Sequence, residues 1–147
     1  MPKNFDGLSA RMGWGFEVEW IGFFFFFLAA VTHLMFFVME SILFQRKGGH
    51  RVFKIKEADH EVVKIWAFNQ GFYNLFLSIG MFLGLYFVLR LQVVLAGAMT
   101  GFCGVSMVGA GLVLWFSAPH LRRAALIQLV PPLLGLLSVV GHVSKYL

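Results

Sequence analysis

Four stretches of this chain carry no Asp, Glu, Lys or Arg: residues 21–39, 66–89, 91–119 and 124–144. A helix that crosses a hydrocarbon core about 30 Å thick needs about 20 mostly apolar residues, and each stretch supplies roughly that length. Strand-type spans would be about 10 residues long with alternating polarity, and no such alternation runs through these stretches. Composition agrees: 59% of the 147 residues are apolar types and 13% are charged, against about 25% charged in a soluble domain. The fold class that follows is all-α, an integral membrane bundle of four transmembrane helices over about 20–44, 66–89, 92–118 and 124–144. Residues 1–19 read as a polar, partly interfacial lead-in, and 20–147 as the transmembrane domain. Asp6, Arg11, Glu17 and Glu19 precede the first apolar run, which is longer than a signal-peptide core, so the first span is expected to be retained.

The connections differ sharply in length and charge. The loop 45–65 holds Arg46, Lys47, Arg51, Lys54, Lys56 and Lys64, with a turn at Gly48-Gly49. Arg90 to Gln92 is all that separates the second and third stretches, which makes those helices antiparallel neighbours. Pro119 and Arg122-Arg123 mark the last connection, and Pro131-Pro132 should bend the fourth helix or loosen its hydrogen-bond ladder. The first and third connections carry eight of the twelve basic residues. The positive-inside rule therefore puts those connections in the cytoplasm and both termini outside. The net charge of +5 reflects this juxtamembrane clustering, so the partner it implies is the lipid bilayer and not nucleic acid. Cys103 is the single cysteine, which rules out an intramolecular disulfide and leaves the redox compartment unread.

Polar residues inside the spans are where chemistry can reside. His33 and Glu40 are seven apart and share one face of the first helix. A carboxyl in a span costs a few kcal/mol on insertion scales, and such groups usually face a bundle interior or a wet cavity. Snorkelling of Glu40 to the interface, or its pairing with Lys47 or Lys64, is the alternative. On the second helix Asn69, Gln70, Tyr73 and Asn74 fall within an arc of about 140°, and Gly80 and Gly84 continue the same stripe. The stripe is thus expected to face protein. Amides bonding between helices are the plain reading of such a run, but four close together point to a lined cavity. Matching depths from the shared loop brings His33, Glu40, Asn69, Gln70, Tyr73 and Asn74 together between the first two helices, with Gln128 able to join from the fourth. Glu40 is then expected to turn inward and bond at least one of these amides. Gly80/Gly84 and Gly97/Gly101, each four apart, are expected to let helix backbones approach closely, within the bundle or in a homo-oligomer through Gly-rich faces.

Several chemistries find no support. A zinc site wants three or four ligands, and the spans offer one His and one carboxylate close together. His50 and His60 match no ligand spacing, and neither a nucleophile arrangement nor a phosphate-binding Gly loop is present. No metal is expected, and no cofactor is indicated. His120 and His142 sit at span ends as interfacial polar residues.

The pattern His33-x6-Glu40, Asn69-Gln70-Gly71-x-Tyr73-Asn74-x-Phe76-Leu77, and a last helix with Gln128 followed by Pro131 resembles small integral membrane proteins grouped as domain-of-unknown-function family thirteen-zero-four. The resemblance covers residues 24–142. It implies four spanning helices in a bacterial cell membrane and brings no reaction with it. Thr32 stands where members often have an acidic residue, and Ser41 where they tend to have Met. The first departure removes a second carboxylate and argues further against a metal.

Three functions fit the residues. The foremost is a polar intramembrane pocket that binds an apolar or amphiphilic molecule, lipid-like or quinone-like. The second is an enzyme on such a substrate, with Glu40 or His33 as acid/base and the amides as orienting groups. The third is a transport or accessory subunit, which four short helices would need an oligomer to perform.

Overall fold

The computed structural model describes residues 6–46 and 55–143. Helix α1 (Asp6–Phe37) continues into a π-helical turn, Val38–Leu43. A short 3-10 turn, Glu57–Asp59, leads into α2 (His60–Leu89); α3 spans Val93–Ser117, and a second 3-10 turn, Pro119–Leu121, precedes α4 (Arg122–Val143). No strand occurs among the described residues. The apolar segments Trp20–Leu43, His60–Leu89, Val93–Ser117 and Pro119–Gly141 are each long and apolar enough to cross a membrane. Helix α1 extends back through the lead-in to Asp6. The helix runs on because no Pro interrupts it after Pro2.

The helices pack as a ring, α1 on α2, α2 on α3, α3 on α4 and α4 on α1. The shortest connection sets one pair of neighbours. The α2–α3 corner closes through Arg90 to Gln92 with Leu91 at φ 56°, a left-handed conformation that costs a non-glycine residue about 1–2 kcal/mol. Antiparallel registers show in the side-chain contacts: Ser78 meets Ala30 on α1 while Ser41 meets Phe68, and Gly135 of α4 seats Phe26 of α1. A Cβ at Gly135 would lie 2.6 Å from the Phe26 ring, so that seam requires glycine. The core at mid-bundle is formed by Phe26, Ala29, Ala30, Met81, Leu85, Cys103 and Met107. Helix α4 passes through Pro131 and Pro132 as one continuous helix with both rings buried.

Polarity is inverted relative to a soluble bundle. Thr32, His33, Ser41, Asn74, Ser78, Thr100 and Gln128 are buried, whereas Phe24, Phe27, Trp66, Phe102, Val113, Phe116 and Val140 lie on the outside. Water would penalise so continuous an apolar exterior, and lipid would not. Together with the four apolar helices this identifies a multi-pass membrane protein. Arg46, Lys64, Arg122 and Arg123 collect at one end of the bundle, called here the basic end, and Arg90 lies at the other. At the basic end the Arg122 guanidinium lies 5.1 Å from the centre of the Trp115 ring.

The glycine pairs divide. Gly84 packs on Thr100, where a Cβ would come within 3.0 Å of the backbone nitrogen, and Gly80 packs on Cys103. Gly97 and Gly101 have nothing near their missing Cβ positions, so their spacing serves no contact within the protomer.

Candidate functional site

The π-helical turn decides what α1 presents to α2 near the basic end. Phe44 donates its N–H to the Met39 carbonyl at 2.8 Å, five residues back, which widens the turn around Glu40 and Ser41. Such turns recur at functional positions in helices. Here the widened turn lets two adjacent polar side chains both engage α2. Ser41 Oγ donates to the Phe68 carbonyl at 2.8 Å, and Asn74 Nδ2 donates to Glu40 Oε2 at 2.8 Å. Gly71, between those two contacts, leaves room for Ser41; a Cβ there would collide with the Ser41 hydroxyl and lie 3.0 Å from its nitrogen.

More bonds extend this seam in both directions. Ser78 Oγ donates to the Ala30 carbonyl at 2.8 Å, in the core. Toward the basic end, Gln45 Nε2 donates to the Lys64 carbonyl at 3.1 Å and to the Glu40 carbonyl at 3.3 Å. His60 Nε2 donates to the Phe44 carbonyl at 2.9 Å, with the two rings 4.9 Å apart. Each bond satisfies a group that hydrocarbon would leave without a partner. The seam is thereby fixed in register, and Glu40 is fixed with it.

Glu40 is half-buried and turned into the bundle. Lys64, a cation partner in the alternative reading, has its ammonium 3.6 Å from Glu61, and no cation pairs with Glu40 among the described residues. Lys47 lies outside the described residues. Beside Glu40 opens a cleft of about 340 Å³. Phe44, Ile55, Val63, Trp66, Ala67 and Gln70 form the rest of its lining. It is an apolar-walled recess between the end of α1 and the start of α2, with one carboxyl and one amide in its wall.

The structure brings Glu40, Gln70 and Asn74 together and separates them from the other candidates. Asn69 and Tyr73 are exposed on the outside of the bundle, Tyr73 at 64%. The stripe they were expected to form with Gly80 and Gly84 does not face protein along its whole length. Only the far end of that stripe meets α3, at Thr100 and Cys103. The face of α2 turned to α1 is instead the one carrying Gly71, Asn74 and Ser78. His33 is fully buried, donating from Nδ1 to the Ala29 carbonyl at 2.9 Å with its ring edge toward Phe36. That bond puts the proton on Nδ1 and leaves Nε2 with no hydrogen-bond partner among the described residues. Gln128 is buried on α4. The contacts of Phe26 with Gly135 and of Gly22 with Ser138 set a register that brings Gln128 to about the level of His33. Neither residue lines the cleft. No three His, Cys, Asp or Glu among the described residues stand close enough to hold a metal ion.

Ser41, Gln45, His60 and Ser78 act in this seam without having drawn attention as site residues. Ser41 and Ser78 carry a weak signal, since each is a small hydroxyl in an apolar run and can only bond a carbonyl or face a glycine. Gln45 and His60 carry none, because polar residues at the edge of a loop read as solvated.

The family profile described as "Protein of unknown function (DUF1304)" matches residues 27–140, which include every residue of this seam. No curated protein and no solved structure matches the chain.

Proposed function

We propose that this chain, which belongs to the DUF1304 family of proteins of unknown function, binds an apolar or amphiphilic small molecule of lipid or quinone type in the cleft beside Glu40. One observation carries the reading: Glu40 is held inward by Asn74 at 2.8 Å and lines, with Gln70, a recess whose other walls are apolar. Among the described residues Asn74 occupies one carboxylate oxygen of Glu40, and the other is open to a ligand. The recess volume suits a lipid head with the start of a tail, at the low end of the range for small-molecule pockets. In the orientation expected from the basic residues, the cleft opens at the cytoplasmic leaflet, within lateral reach of membrane-dissolved molecules.

Native mass spectrometry of the gently extracted protein tests this. The wild type should retain a bound amphiphile, and Ala67→Trp, which fills the cleft, should lose it without a lower melting temperature. Retention of the same species by both proteins, or a bare mass for the wild type, would count against the reading.

A further inference from the structure

We propose that the occupant of the cleft carries a cationic head, an ammonium-type group on an apolar tail, held between the Glu40 carboxylate and the face of Trp66. This rests on the reading of the cleft as an amphiphile site and narrows it to one head chemistry. Among the described residues the lining contains one acidic side chain, one amide and five apolar residues, and no Lys, Arg or His. Asn74 is a neutral donor, so its bond to Oε2 satisfies a lone pair without balancing the charge. The Lys64 ammonium lies 3.6 Å from Glu61. Among the described residues no side chain balances the Glu40 charge, and a cationic ligand would.

The alternatives fit less well. An anionic head would meet Glu40 with no basic side chain among the described residues of the wall to offset it. A quinone presents acceptor oxygens to a wall whose charged group is itself an acceptor. An alcohol would gain one hydrogen bond and leave the charge unbalanced. An ammonium gains a charge-assisted bond to Glu40 and, from an indole face, a cation–π attraction that strengthens with desolvation. Trp66 is 72% exposed in the protomer and is the largest side chain in the wall, so it has surface to offer such a head. A lipid whose head ends in a primary amine and a free cationic amphiphile share this chemistry.

Calorimetric titration of the full chain in a neutral detergent tests the proposal with four probes: dodecylammonium, dodecanol, dodecyl sulfate and a short-tailed quinone. Dodecylammonium should bind saturably and at least about tenfold tighter than the other three. Glu40→Gln keeps an oxygen for Asn74 to bond and should lower dodecylammonium affinity about tenfold while leaving dodecanol unchanged. Trp66→Leu, at an exposed position, should also weaken dodecylammonium without a lower melting temperature; it carries the test if Glu40→Gln fails to fold. Equal affinities for dodecylammonium, dodecanol and the quinone, unaltered by Glu40→Gln, would overturn the cationic head while keeping the cleft as a site. Saturable binding of none of the four, or binding untouched by Ala67→Trp, would instead overturn the site itself. An aminolipid that co-purifies with the wild type and is lost from Glu40→Gln assigns the ligand to the bilayer. Dodecylammonium binding without such a lipid assigns it to a free amphiphile.

Discussion

Glu40 and Asn74 form a side chain to side chain hydrogen bond across the α1–α2 seam, and their energetics are asymmetric. Removing one partner strands the other in a low-dielectric setting, which costs about 1–3 kcal/mol, whereas replacing both by apolar groups is far less harmful. Asn74→Leu should therefore destabilise the protein by that amount, and Glu40→Leu/Asn74→Leu should recover much of the loss. Thermal melting in detergent decides it, and a double variant no better than Asn74→Leu would mean that the bond contributes nothing. At this scale the sequence was informative about which residues are polar and poor on which of them meet. A carboxyl and four hydrogen-bonding side chains stand out in apolar runs. Helical spacing then gives the angles between Asn69, Gln70, Tyr73 and Asn74 but not which part of their arc points at α1. The choice fell on the edge of the arc, at Asn74, and left Tyr73 outside. The π-helical turn that aims Glu40 is a backbone feature with no residue signature in Val38–Leu43.

Between elements, close approach is what glycine and serine supply, and it can be probed in pairs. Gly71→Ala forces a methyl against Ser41, its hydroxyl and its backbone nitrogen at 3.0 Å, so overpacking should cost about 1–3 kcal/mol. Ser41→Gly removes the hydroxyl and Cβ that the new methyl meets, so Gly71→Ala/Ser41→Gly should be more stable than the sum of the single changes predicts. Strict additivity in melting experiments would show that the two residues do not touch. The α2–α3 seam gives a second contrast. Gly84→Leu should destabilise strongly, because its Cβ would lie 3.0 Å from the Thr100 backbone nitrogen, while Gly101→Leu meets open space and should leave the melting temperature unchanged. Equal losses for the two would place α3 in a different rotation. Both pairs of glycines have the same four-residue spacing in the sequence. Spacing tells that a face is smooth; only the rotation of the helix tells whether a neighbour lies against it.

For the molecule as a whole, the number of spans and the antiparallel pairing of α2 with α3 were legible because two physical constraints act on them almost alone. Hydrocarbon thickness fixes the length of the apolar runs, and the three-residue connection forces α2 and α3 to be neighbours; the contact of α4 with α1 that closes the ring has no such local cause. The direction in which the bundle sits in its membrane follows from neither, and depends on charge. Arg46, Lys56, Lys64, Arg122 and Arg123 lie at the end where Glu40 and the cleft are found, and Arg90 lies at the other. Moving basic segments across a membrane is disfavoured, so the basic end should be cytoplasmic and the α2–α3 corner outside. In a Cys103→Ala background, a reporter at exposed Gln92 should react with an impermeant maleimide in intact cells, and one at exposed Ala58 should react only after permeabilisation. Labelling of Ala58→Cys in intact cells would invert the bundle, and the cleft would then open to the outer leaflet and draw its ligand from there.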